Sequence, residues 1–375
     1  MHRLLFFIGL FISLLAHATE HVALLGTYTG GGSRGIYAVR LDADTGALSE
    51  PQLVAETPNP AFLALHPNGR VVYALDESDS NNGKPGGRVA AFAVDPATGR
   101  LTPLNAESSG GRAFAHLGVD ASGRVLLAAS YNGGYVATFP LEPDGRLKPL
   151  TSLIADTGPL GPNRAHQDHS HAHSITFSPD NRFAFVADLG LDRILAFRLD
   201  PAAGTIVPNE PPFTAFSPGA GPRHAKFSAA GKFFYAIDEL DATITACGYD
   251  AARGALVPFQ RITTLPADFK GPNTCSEIRV HPNDRFVYGA NRGHNSIAVF
   301  SRASATGELA PVEIVPTGGR TPRNFALTPD GAWLLCAHQD SNDLTVFRVD
   351  PATGRLTRIA HTAKVPKPVC VLFLN

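Results

Sequence analysis

Asp95-Pro-Ala-Thr-Gly-Arg-Leu101 reads as a tight turn between two apolar runs, and the chain repeats it. The D-x-x-T-G-x-L pattern stands again at Asp42–Leu48 and Asp350–Leu356, with looser copies at Pro143–Leu147, Asp200–Ile206, Asp250–Leu256 and Ser304–Leu309. That makes seven turns, at a spacing of about fifty residues, the mark of a repeat architecture.

A second turn falls between the first: His66-Pro-Asn-Gly-Arg70, Asp120–Arg124, Ser178–Arg182, Ser228–Lys232, His281–Arg285 and Thr328–Gly331. Gly and Asn supply the positive φ that such hairpin turns demand, and Pro presets the bend before them. Short runs of Val, Ile, Phe, Tyr and Leu flank each turn, so one unit predicts strand, turn, strand, loop, strand, turn, strand. Six copies of the second turn against seven of the first leave an incomplete unit at each end. The N-terminal piece, Val22 to Leu48, offers the second half of a blade, and Val369 to Leu374 is an apolar strand without a partner. Joining them predicts an all-β, seven-bladed β-propeller of four-stranded antiparallel blades, its ring closed by pairing of the N- and C-terminal strands. Closure removes the exposed edges that an open array would leave.

The remaining composition bounds the function. Thirty-two basic against 33 acidic residues leave a net charge of −1, which predicts no nucleic-acid partner and no attraction to anionic membranes. Residues 1–18 read as an export signal: His2 and Arg3, an apolar run from Leu4 to Leu15, then Ala16-His-Ala18 before a cut at Thr19. Residues 19–375 then form the propeller, periplasmic or secreted, with no membrane attachment once the signal is removed. Cys247, Cys275, Cys336 and Cys370 are too far apart for a C-x-x-C zinc site and predict buried free thiols.

Aligning the units shows where polar residues gather. The first strand of each unit runs down to the P-x-G-R turn and the second runs back, so its start and the second's end share one face near the axis. At the first position stand Ala115-His116, His173-Ser174, Arg223-His224, Ser276-Glu277 and Arg323-Asn324, with apolar Ala61-Phe62 in the first full unit. At the second stand Asp76-Glu77, Ser130-Tyr131, Asp188-Leu189, Asp238-Glu239, Asn291-Arg292 and His338-Gln339. Deeper positions are apolar apart from Lys226 and Arg279. A polar mouth above greasy layers is where a binding site belongs. The densest cluster is His166-Gln-Asp-His-Ser-His-Ala-His173. An extended backbone would put His169, His171 and His173 on one side, either to bind a transition metal or as a loop that feeds His173 into the mouth.

In combination, several motifs resemble the lactonase-type seven-bladed propellers, a family that includes a bacterial class of 6-phosphogluconolactonase and the fungal carboxy-cis,cis-muconate cyclase. They are Gly26-Thr-Tyr-Thr29, His171-Ala-His-Ser174, Asp188–Arg193, Gly221-Pro-Arg-His224, Asp238-Glu-Leu240, Ser276-Glu-Ile-Arg279, Asn291-Arg-Gly-His294 and Arg320–Phe325, and the likeness spans essentially the whole mature chain. The resemblance implies roles for His173, Arg223, Glu239 and one further arginine, Arg279 or Arg292. Asp238 stands where the family often has Asn, placing a second carboxylate beside Glu239 in sequence, which could raise a carboxyl pKa or weaken binding of an anion.

Lactone opening needs a group to take a proton from water, and a fixed cation for the carbonyl oxygen. The expected catalytic set is His173 or Glu239 for the proton and Arg223 as clamp. His171, His224, Glu277, Arg279, Arg292, Arg323 and Asn324 are the expected substrate contacts. The expected partner is a small-molecule lactone, with neither cofactor nor metal. A phosphorylated gluconolactone belongs to the cytoplasm, so an exported chain points to an unphosphorylated substrate. The rival classes are a muconate-type cyclase, a non-catalytic binding propeller and a metal-dependent hydrolase.

Overall fold

A computed structural model of the protein describes residues 20–374 apart from 79, 82 and 83. The expected export signal, residues 1–18, lies outside the described residues. Within them the chain forms seven four-stranded antiparallel sheets and one small hairpin, Ser80–Asn81 with Lys84–Pro85, and no helix.

Each sheet is threaded from the axis outward. The innermost strands are Leu63–Leu65, His116–Val119, Ala172–Phe177, Pro222–Phe227, Cys275–Val280, Pro322–Leu327 and Pro368–Phe373. We number their sheets as blades 1 to 7. Each inner strand packs against the next, and Pro368–Phe373 packs against Leu63–Leu65, so the inner strands form a closed ring.

Blade 7 is shared between the chain ends. Pro368–Phe373 pairs with Glu20–Thr27, with Ala23 opposite Phe373 and Leu25 opposite Val371. The N-terminal contribution is larger than the expected half blade. Three strands, Glu20–Thr27, Gly35–Asp42 and Gln52–Glu56, come from it, because the chain beyond the Asp42–Leu48 turn returns to form the outer edge.

Both turn signatures work locally as their residue types require. In the first, the Asp95 carboxylate accepts from the Ala97 N–H and the Thr98 hydroxyl, and Gly99 sits at φ 74°. Such side-chain bonds imitate a backbone turn and fix its geometry. In the second, the same left-handed position is held by Gly69 in blade 1 but by Asn181 in blade 3 and Asp284 in blade 5. Asn and Asp are the residues that best tolerate it after glycine. Turns of neighbouring blades are also tied together. Tyr73, Tyr235 and Tyr288 donate from their second strands to the carbonyls of Gly145, Gly307 and Gly354 in the next blade, and Trp333 Nε1 donates to Ala43 across the blade 6–7 boundary.

The core lies between blades, in seven apolar clusters that each join two neighbouring sheets. Second strands such as Val71–Asp76 and Val125–Ser130 are buried along their whole length. That is why they read as unbroken apolar runs rather than as alternation. The four cysteines are buried and unpaired, as their spacing predicts.

Ring closure generates a direct test. Deleting residues 368–375 removes the inner strand of blade 7 and uncovers the backbone edge of Glu20–Thr27. The truncated chain should lack the single sharp thermal transition of the full chain in circular dichroism. An unchanged melt would show that the seam contributes little.

Candidate active site

The mouth is built by irregularities at the start of the inner strands. The register slips between Ala172 and Ser174, Pro222 and His224, and Pro322 and Asn324, and again between Cys275 and Ile278. A bulge sets two residues against one and re-aims a side chain. Here the strands of blades 4 and 6 each bring two consecutive side chains to the axis, Arg223 with His224 and Arg323 with Asn324. A narrow cavity on the axis is lined by these four together with His173, Glu77 and apolar residues of blades 1, 2 and 7.

Glu239 anchors one side of the mouth. Its Oε2 lies 2.8 Å from Arg223 Nε and its Oε1 2.8 Å from Arg292 Nη2. Arg223 is 3% exposed and also donates to the Ser276 carbonyl, while Arg292 donates to the Cys275 carbonyl at 2.9 Å. Burial pushes the Glu239 carboxyl upward, but Arg292, Arg223 and Arg323 outweigh it and hold the group below the ordinary range. Glu239 is therefore a fixed anion between two cations, unsuited to carry a proton at neutral pH. Opposite it, Arg323 Nη2 donates to the Tyr28 hydroxyl at 2.8 Å, and Tyr28 donates to Glu77 at 2.9 Å. Three guanidinium groups thus face two carboxylates, an excess of positive charge in a mostly buried setting.

His173 lies at the centre of this arrangement. Its ring is 5.2 Å from that of His224 and 5.5 Å from that of Tyr131, both edge-on. Burial, then Arg223, His224 and Arg323, holds its imidazole well below the usual histidine range, so it is neutral at pH 7. Its Nδ1 is buried without a hydrogen-bond partner among the described residues. A neutral, unpartnered ring nitrogen beside buried guanidinium groups can accept a proton where negative charge is stabilised nearby.

The other predicted residues fall into distinct places. His224, Glu277 and Asn324 form a layer beneath the mouth: His224 Nδ1 lies 3.2 Å from Glu277 Oε2, and Asn324 donates to that same oxygen. Glu277 is fully buried, so this layer supports the mouth from below. Arg279 is not at the mouth. It follows Glu277 by two residues on one strand, which puts it on the same side but one step deeper. There it donates to the Phe325 carbonyl and lines a cavity at the turn-bearing face with Pro282, Pro329 and Phe373. Of the two arginines left open by the sequence, Arg292 is the one beside Glu239. His171 lies at the rim, its ring stacked on Tyr131 at 4.1 Å. The expected alignment of His169, His171 and His173 does not occur, because regular strand begins only at Ala172; His173 turns to the axis while the other two stay outside.

Asp238 does not act on Glu239. Its carboxylate turns into blade 4, accepting from Thr243 at 2.9 Å and Thr245 at 2.6 Å. Burial pushes it up to about 7, while the neighbouring Glu239 carboxyl is held low by its arginines. Sequence reasoning passed over Tyr28 and Glu77 as binding residues, although Glu77 occupies in blade 1 the place that Glu239 has in blade 4. The shared position at the end of the second strand was the available signal.

This chain belongs to the seven-bladed β-propeller lactonase family: residues 22–373 match the family described as Lactonase, 7-bladed beta-propeller. It is 38% identical over 357 residues to the 6-phosphogluconolactonase of Bacillus subtilis (strain 168), covering 95% of this chain and 99% of that one. The 6-phosphogluconolactonase of Formosa agariphila is 34% identical over 316 residues, covering 83% and 88%. Among solved structures, the periplasmic gluconolactonase of Pseudomonas aeruginosa superposes with a TM-score of 0.90 at 31% identity, covering 95% of this chain and 99% of that one.

The ion-pair geometry predicts a stability effect. Glu239→Ala leaves Arg223 and Arg292 as neighbouring cations with no anion between them, and breaking such a buried pair costs about 3–5 kcal/mol. Urea denaturation should show a loss of that size, with most of the effect absent in the double variant Glu239→Ala/Arg223→Met. Equal losses in the two proteins would contradict the pairing.

Proposed function

We propose that this chain hydrolyses a sugar-acid lactone at the mouth of its channel, as a carboxylic ester hydrolase without a catalytic cofactor. The observation that carries this is His173, which lines the axial cavity with Arg223 and Arg323 and whose ring Nδ1 has no hydrogen-bond partner among the described residues. In the proposed reaction a water attacks the ring carbonyl while His173 takes its proton. The carbonyl oxygen gains negative charge beside the Arg223 guanidinium. Collapse of this intermediate breaks the ring C–O bond, and His173 returns the proton to the departing alkoxide. Arg292 and Arg323, with Glu239 and Tyr28 holding them, orient the polyhydroxy acid. The B. subtilis and F. agariphila relatives, by their names, support a lactone substrate, and the P. aeruginosa structure supports one without a phosphate.

The test is acid release from glucono-δ-lactone and from its 6-phosphate, followed in a pH-stat against buffer blanks. His173→Ala should lower kcat/KM by about 10²-fold or more, the range for general base catalysis. The pH profile separates this role from mere packing. Because burial and Arg223 disfavour the imidazolium, the wild-type rate should stay level well below pH 6.5 and fall only in stronger acid. Arg223→Ala removes a neighbouring positive charge, so the acid limb should move to higher pH as well as the rate dropping. Buffer-level rates in the wild type, or an acid limb that ignores Arg223, would defeat the proposal.

We further propose that the protein works outside the cytoplasm, on the strength of the charge, apolar run and small residues at its N-terminus. N-terminal sequencing of protein recovered from a Gram-negative host's periplasm should begin at Thr19. Recovery only from the cytoplasm, with the first eighteen residues intact, would overturn it.

A further inference from the structure

We propose that Asp168, His169 and His171 form a binding site for a divalent first-row transition ion at the rim of the mouth, separate from the His173 machinery. The geometry of the three groups carries it. His171 Nδ1 lies 2.9 Å from the Tyr131 carbonyl oxygen, and His169 Nε2 lies 3.3 Å from the Asn132 carbonyl oxygen. A carbonyl can only accept, so each of these nitrogens donates, and the other nitrogen of each ring is the one able to meet a ligand. Those two, His171 Nε2 and His169 Nδ1, point at one atom, Asp168 Oδ1, each at 2.9 Å. Two imidazole nitrogens and a carboxylate oxygen, all metal-ligating types, thus converge on one spot.

A metal ion would engage all three groups together, and the two rings are already gathered, 3.9 Å apart between their centres. The three ligand atoms already lie within 4.8 Å of one another. A ligand edge of 2.9 Å corresponds to an angle of about 90° at an ion bound at about 2.0–2.2 Å, the angle between adjacent ligands of an octahedron. Donation of the second ring nitrogen to a backbone carbonyl is also the usual support of a metal-bound histidine. Imidazole and carboxylate donors suit zinc, nickel, cobalt or iron(II) better than magnesium or calcium. Asp168 is 66% exposed in its side chain, which leaves the remaining coordination positions to water.

The site occupies a useful place. Tyr131 directly follows the second strand of blade 2, Val125–Ser130, while Asp168–His171 closes the long connection into blade 3. Through the His171–Tyr131 stack, an ion would pin this connection to the neighbouring blade two residues before His173.

Purified full chain, stripped with EDTA and dialysed, is titrated with ZnCl₂ by calorimetry, and with Co²⁺ while its visible d–d bands are recorded. The expected result is one Zn²⁺ per chain at micromolar affinity or tighter, a matching Co²⁺ spectrum, and a rise in Tm on Zn²⁺ addition. Asp168→Asn and His169→Ala, both at the surface, should fold normally and bind at least tenfold more weakly. His166→Ala, on the same segment but outside the cluster, should bind like the wild type. No binding up to millimolar Zn²⁺, or binding that survives both ligand substitutions, would overturn the site. Neither result bears on lactone hydrolysis, which rests on His173 and the arginines.

Discussion

The strand pairing between Glu20–Thr27 and Pro368–Phe373 is the constraint on which the molecule depends. Without it the first and last sheets would each lack a neighbour, two of the inter-blade apolar layers would be open to water, and the inner strands would not surround an axis. Sheets that bury both faces need a partner on each side, and a ring is the arrangement that supplies one to all of them. The Tyr–Gly and Trp–Ala bonds between adjacent blades repeat the same logic at smaller scale, each contributing about 1 kcal/mol.

The ring concentrates charge at a cost. Arg223 and Glu277 are almost or wholly buried, and desolvating such groups is tolerated only with close counter-charges. Glu239 between Arg223 and Arg292 meets that need on one side, and Glu77 through Tyr28 meets it for Arg323 on the other. The uncompensated remainder is positive, and burial together with this charge keeps the His173 and His224 imidazoles neutral. Perturbed groups of this kind cluster where chemistry is done. Asp238 shows the contrast: equally buried, but turned toward two threonine hydroxyls, it holds a strand and has no access to the axis.

The fold was legible because turns declare themselves. A Gly, Asn or Asp at a left-handed position after a Pro is a local requirement, and the counts of the two turns encode closure without any long-range information. The strands at the mouth could be aligned for the same reason, which brought out His173, Arg223, Glu239, Arg292 and Arg323. Direction of side chains was less accessible. Arg279 could be placed a step deeper than Glu277 but not aimed, and whether Asp238 faced Glu239 depended on which side of a strand it occupied. The histidine run misled because extended alternation was assumed through residues that form an irregular connection. Tyr28 and Glu77 needed the seam itself, since their partner Arg323 lies almost three hundred positions away in sequence.

That last contact joins three blades: Glu77 in the first, Tyr28 from the opening strand of the seventh, and Arg323 in the sixth. The polar network of the mouth is therefore drawn across the junction between the chain's beginning and its end. A nascent polypeptide emerging residue by residue cannot assemble it until synthesis is essentially finished. Competence to bind and completion of the fold are acquired in the same event, so a prematurely terminated product would be both unfolded and inert.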